Sequence, residues 1–211
     1  MTPDKKLIVL VSSTVYHYDE LLDRIYGLLT QFGYEVWMSH KGTLPVFSDR
    51  SNLDNCLAAT EKCDLFLGII TPQYGTGIVK DGLSITHHEL KRAIDLKKPR
   101  WILAHDHVFF ARTLLNSLGF EGKAGRKKLP PLEKQFLDLR TIDMFEDATI
   151  SHLDYKDRQG NWVQKFNSVP DAMLFATAQF SRYQEAEAFI FENFQDRVGV
   201  SRKIEDSEDR S

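Results

Sequence analysis

Hydrophobic and polar positions change their spacing several times along this chain, and each change predicts an element. Lys6 to Val11 is an aliphatic run without alternation, the pattern of a parallel strand covered on both faces. Behind it, Leu21, Leu22, Ile25, Leu28, Leu29 and Phe32 fall on one helical stripe that Gly33 stops. Tyr34 to Met38 reads as a short second strand, and Ser51-Asn-Leu-Asp as a cap opening a helix through Lys62. Asp64 to Thr71 is a third buried strand. The glycine-bearing stretch Pro72 to Leu83 is a loop at its carboxyl end. Ser84 or Thr86 caps a helix to about Lys97, Pro99 ends it, and Arg100 to Ala104 forms a fourth strand.

The second half is less regular. His107 to Phe120 predicts an amphipathic helix, followed by the basic Gly/Pro-marked connector G-K-A-G-R-K-K-L-P-P. Thr141 to Phe145 is a candidate further strand. Thr149 to Tyr155 and Trp162 to Phe166 flank D-R-Q-G-N as a candidate hairpin. Pro170 sits in the first turn of a helix carrying apolar positions as far as Phe194, and the polar remainder predicts a frayed tail.

Strands alternating with helices imply an α/β fold with a mostly parallel central sheet, because parallel neighbours need a crossover. The reading divides the chain into an α/β domain over residues 1–121, a helical and hairpin extension over 122–196 packed on or completing that domain, and a tail over 197–211.

Composition narrows the function classes. The 211 residues carry 27 Lys+Arg against 30 Asp+Glu, a net charge of −3, so no polycationic footprint for nucleic acid exists. Lys123, Arg126, Lys127 and Lys128 then read as a solvated loop. At 42% hydrophobic and 27% charged, the chain has the balance of a water-soluble globular protein. Its longest N-terminal aliphatic run falls far short of the ~20 residues that cross a bilayer, and no secretory cleavage pattern follows, so the expectation is a cytoplasmic protein without membrane contact. Cys56 and Cys63 are too few for a disulfide framework and read as reduced, half-buried residues sharing a helix face.

Candidate chemistry concentrates between Asp64 and Pro99. Glu89 begins a helix at the carboxyl edge of the sheet, where Ser12, Ser13 and Thr14 also lie. If the first and third strands are neighbours, these groups share one crevice. A carboxylate facing hydroxyls and backbone amides can grip a ribose, or stabilise the positive charge that develops as an anomeric bond breaks. The competing reading is structural: Thr86 and Glu89 have capping-box spacing. His87, His88 and Glu89 cannot converge on a metal, since adjacent helical residues diverge by about 100°, and H-E-x-x-H is absent. His88 or His105 could donate a proton to a departing base. Neither G-x-G-x-x-G nor G-x-x-x-x-G-K-S occurs, so dinucleotide redox chemistry and NTP hydrolysis lack their usual phosphate cradles.

Taken together, V-L-V-S-S-T-V-Y, G-Y-E-V-W-M-S, N-C-L-A-A-T-E-K-C-D-L-F-L-G-I-I, Q-Y-G-T and S-I-T-H-H-E-L, from about Lys5 to Ala104, resemble the TIR-like superfamily and within it the DUF4062 family. The resemblance implies a flavodoxin-like three-layer fold. It places Glu89-Leu90 where NAD-cleaving TIR domains carry their catalytic glutamate, and related nucleoside deoxyribosyltransferases carry a nucleophilic glutamate on the equivalent helix, before a similar Lys98-Pro99. The implied activity is cleavage of an N-glycosidic bond in NAD or a related nucleotide, with NAD as substrate rather than cofactor. Ser12, Ser13, Thr14, Tyr74, Thr86 and His88 would line the substrate site, with no metal. The tryptophan and cysteine that usually precede that glutamate are replaced by Ile85 and Thr86, so base stacking must come from Tyr74, Tyr16, Trp37 or His88. Many such domains are silent adaptors, which makes a non-catalytic, nucleotide-sensing module the alternative. The family habit also implies homo-oligomers or a partner protein in antiphage defence.

Overall fold

The computed structural model describes residues 6–14, 17–75, 77–79, 81–130 and 137–183. Its centre is a five-stranded, all-parallel sheet of β1 (Ile8–Ser13), β2 (Glu35–Trp37), β3 (Leu65–Ile70), β4 (Arg100–His105) and β5 (Val163–Phe166), in the order β2-β1-β3-β4-β5. The flavodoxin-like three-layer expectation holds: helices cover both faces. On one lie α1 (Asp19–Gln31) and α7 (Val169–Phe180). On the other lie α2 (Asn52–Lys62), α3 (Ile85–Asp95), α4 (Asp106–Ser117) and α6 (Arg140–Thr149), with the short α5 (Gly122–Arg126) beside α6.

The unalternating strands explain themselves, since every residue of β3 is buried and its side chains supply both cores. Alternate residues divide between the faces: Phe66 and Ile70 join the α2/α3/α4/α6 side, Leu65, Leu67 and Ile69 the α1/α7 side. Gly68 breaks the aliphatic run for a packing reason. A Cβ there would fall 2.9 Å from Ile102 Cδ1 and 3.0 Å from Phe66 Cε1. The stripe Leu21, Leu22, Ile25 and Leu29 is the buried face of α1. Ser51 caps α2 by accepting from the Asp54 amide at 3.1 Å, and Ser84 caps α3 by accepting from the His87 amide at 3.2 Å.

The second half departs from the sequence expectation at several points. Thr141 to Phe145 is no strand but the first half of α6. Thr141, Ile142, Met144, Phe145 and Ala148 are its buried side, a three-and-four spacing that outweighs a short apolar run. No hairpin forms. Only Val163–Phe166 becomes a strand, and it pairs in parallel with β4, while residues 150–158 form turns and one 3-10 turn, Tyr155–Asp157. The basic connector contains α5, and Arg126 within it is buried rather than solvated. Cys63 is a free, fully buried thiol just past the end of α2, and Cys56 a free, half-buried one within it, so they share no helix face. Pro170 stands in the first turn of α7 as expected. The stretch from residue 184 through Phe194 and the 197–211 tail lie outside the described residues, and among those described no helix is long and apolar enough to cross a membrane.

Candidate functional site

β1 leads to β2 on one side while β3 continues the sheet on the other, so the strand order reverses between β1 and β3. In open parallel sheets the crevice beyond such a reversal is where ligands bind. Ser12 pairs with Gly68 and Ser13 with Ile69, which brings the carboxyl ends of both strands to the same edge. Just past them Thr14 Oγ1 and Thr71 Oγ1 lie 2.7 Å apart, and both hydroxyls donate to the Gln73 carbonyl, at 3.0 and 3.1 Å. These bonds pin the loop after β3 against the loop after β1. Gly75 completes the joint with φ +88, and a Cβ on it would meet Thr14 Cγ2 at 2.9 Å, so only glycine fits.

A cleft of ≈ 880 Å³ opens here, walled by the end of β1, the loops after β2 and β3, and the first turns of α2 and α3. Glu89 is the fifth residue of α3 and lines it. Its carboxylate does not fold back onto its own helix start, because Ser84 is the cap and Thr86 lies inside the helix. Instead it receives the Ser12 hydroxyl at 2.5 Å, a contact across the sheet edge that rules out the capping-box reading. Glu89 is 6% exposed. Burial pushes its carboxyl up to about 7, although hydrogen bonds from Ser12 and Cys56 pull the other way. Cys56, on the facing α2, also lines the cleft, and burial together with the adjacent Glu89 charge pushes its thiol up to about 12. It therefore stays a protonated donor beside Glu89.

The structure brings together Ser13, Thr14, Thr86 and Glu89 as lining residues, with Ser12 behind Glu89 as its hydrogen-bond donor. Tyr74 and His88 are placed elsewhere. Tyr74 is buried, and its hydroxyl accepts from the Ser84 amide at 3.3 Å and donates to His87 Nδ1 at 2.6 Å. His87 Nε2 then donates to Asp147 Oδ2 on α6 at 2.9 Å. This order of donors follows from the Asp147 carboxylate, which can only accept, so the ring proton sits on Nε2 and Nδ1 is left to accept from Tyr74. His88 faces out and pairs with Asp81. Trp37 is a core residue bonded through Nε1 to Glu35, and Tyr16 lies outside the described residues. Neither Tyr74, Trp37 nor His88 lines the cleft.

Three participants had no sequence signal strong enough to single them out: Cys56, read as packing, and the buried His87 with its half-exposed partner Asp147, 60 positions away. Asn55 also belongs to the rim, holding the loop after β2 by accepting from the Phe47 amide at 2.8 Å. The Tyr74–His87–Asp147 relay makes a specific prediction. Tyr74→Phe strands His87 Nδ1 and the Ser84 amide without partners in a buried place, and should cost about 1–3 kcal/mol in urea denaturation. An unchanged midpoint would show that the relay holds nothing in place.

The described lining contains no lysine or arginine, while Asp19 and Glu89 add negative charge. Positive potential comes instead from the α2 and α3 starts, whose backbone dipoles point at the cleft. No group of three or more His, Cys, Asp and Glu side chains among the described residues could hold a metal ion. In chemical terms the arrangement is a shielded carboxylic acid, half ionised near neutrality, facing hydroxyls and amides in a cavity of nucleotide size.

No curated protein matches this chain. A family profile does: the one described as Domain of unknown function (DUF4062) aligns with residues 8–158, from the start of β1 through the turns before β5. That is well over half of the sequence, and it runs beyond the resemblance traced above into the second half. The chain belongs to the DUF4062 family.

Proposed function

We propose that the chain is a TIR-like enzyme that cleaves an N-glycosidic bond in NAD or a related nucleotide, with Glu89 as its catalytic carboxylate. The observation that carries the reading is the Glu89 carboxyl, shielded from water yet facing a ≈ 880 Å³ cleft at the sheet's reversal point. Low polarity around a charge strengthens its action on a nearby developing charge. As the bond between the anomeric carbon and the base nitrogen breaks, its electron pair leaves with the base and the sugar gains oxocarbenium character. The ionised Glu89 stabilises that cation, and water then supplies the new oxygen. Ser12 holds the carboxylate with the Cys56 thiol beside it, while Ser13 and Thr86 offer hydroxyls to the sugar and phosphates.

The test is chromatography of NAD, NADP and nucleosides incubated with the chain over a wide range of protein concentrations. Release of nicotinamide supports the proposal. The concentration series addresses assembly, since the TIR-like resemblance also suggests homo-oligomers or a defence-system partner protein. A second reading is favoured by the same near-seal around Glu89, whose Oε2 is already engaged by the Ser12 hydroxyl. It is a module that binds a nucleotide signal without turning it over. Calorimetric binding of NAD without product would select it, and base exchange instead of hydrolysis would indicate a deoxyribosyltransferase-like reaction.

A further inference from the structure

On the opposite face of the sheet from Glu89, between the starts of α1 and α7, lies a second pocket of ≈ 240 Å³ that the proposed chemistry does not use. Three rings form its corner. Tyr18 and His105 have centroids 5.8 Å apart at 73°, His105 and Phe166 5.2 Å at 80°, and Tyr18 and Phe166 6.4 Å at 81°. Rings set edge to face in this way leave flat, apolar walls against which a planar ring can pack. His105, the N-cap of α4, is 8% exposed. Its Nδ1 accepts the His107 amide at 3.2 Å, so the ring proton sits on Nε2, which has no hydrogen-bond partner among the described residues. That N–H, bound by no other described side chain, is free to donate to an acceptor placed in the pocket.

His17 connects the two cavities. It lines both the Glu89 cleft and this pocket, and it holds a left-handed backbone conformation with φ 66, which a non-glycine residue seldom adopts. A ligand spanning both spaces would therefore pass His17. At ≈ 240 Å³ the pocket lies below the roughly 300 Å³ where sites for whole drug-sized ligands begin, and suits one ring system.

We infer that this pocket is a separate subsite for a planar nitrogen heterocycle of nucleobase type, packed against Tyr18 and Phe166 and accepting a hydrogen bond from His105 Nε2. The inference rests on the nucleotide reading of the cleft, but it requires binding only, not turnover. Burial, with His107 nearby, keeps the His105 imidazole below its usual range, which preserves a single uncharged donor form at neutral pH.

The experiment is titration of the full chain with adenosine and, separately, nicotinamide mononucleotide, followed by the histidine ring resonances. Saturable movement of the His105 signal with either probe is expected. His105→Phe keeps a ring but loses the donor, and should weaken that binding roughly tenfold, the value of one hydrogen bond, while losing the α4 cap lowers the melting temperature modestly. His105→Gln restores an N–H and should recover affinity, which guards against a folding defect in the first variant. Binding that moves Cys56 signals while His105 stays still overturns the subsite, as does absence of binding by both probes. Binding at His105 in a chain that leaves NAD intact would keep the subsite and refute only the enzymatic proposal.

Discussion

Glu89→Gln should abolish nicotinamide release while making the fold more stable above pH 7. Burial raises the Glu89 carboxyl from its ordinary value to about 7, so the folded chain binds a proton that the unfolded chain gives up at lower pH. The sign follows directly. This contribution to stability is complete below the ordinary carboxylate range near pH 4.5, and is lost as pH rises through about 7. Across that window the loss amounts to about 3 kcal/mol. Glutamine keeps an oxygen for the Ser12 hydroxyl but carries no charge to bury, so at pH 8 the variant should gain up to about that amount, and at pH 4 almost none. Catalysis should fall by at least roughly 100-fold, the usual effect of removing one preorganised electrostatic contributor. Denaturant titrations at the two pH values, run beside the turnover assay, decide the matter. An equal loss of stability at both would make the carboxylate a structural element, and wild-type turnover would remove it from the chemistry.

Arg126→Ala should be among the most damaging single changes for folding. Arg126 is 6% exposed and reaches from α5 to both Asp143 and Glu146 on α6, with two contacts to Glu146 of 3.1 and 2.7 Å. Arg112 from α4 shares Glu146 at 3.1 Å. A buried ion network adds little net energy when complete, but removing its central cation leaves carboxylates uncompensated, at a cost of about 3–5 kcal/mol. For a chain of this size that lowers the melting temperature by about 10 °C. Burial raises Glu146, but hydrogen bonds from Arg126 and Arg112 outweigh it and hold the group below its ordinary value. Its contribution is therefore present above that value and lost as pH falls through the lowered one. In Arg126→Ala this acid-side loss should largely vanish. Adding Asp143→Asn and Glu146→Gln should recover most of the stability. If the triple variant melts as low as the single one, the damage lies in packing rather than charge.

The legible parts of the fold were those in which one physical cause dominates. β1, β3 and β4 announce themselves because strands buried on both faces must be apolar throughout, and Ser51 and Ser84 because a helix start needs an acceptor. Glu89 was reachable by combining strand alternation with the rule that ligands gather at carboxyl edges, yet its partner Ser12, 77 positions away, required the β1–β3 pairing to be real. Elsewhere competing causes of similar size obscured the answer. Thr141 to Phe145 is too short for its alternation to be weighed against a helical period that emerges only with Ala148. Arg126 looked solvated because its neighbours Lys123, Lys127 and Lys128 are charged, while its carboxylate partners lie 17 and 20 positions onward. Tyr74 and His88 were expected to line the site, but helix phase turned His88 outward and gave His87 the buried place that captures Tyr74.

The hydrogen bond from His87 to Asp147 crosses from the β3–β4 crossover to a helix far downstream. Exchanging the C-terminal portion of this chain for that of a relative would therefore also re-set the wall of the pocket upstream. Grafts that respect the fold should keep Tyr74, His87 and Asp147 as a matched set, and keep Arg100 with the Gln159 carbonyl that it donates to at 2.7 Å.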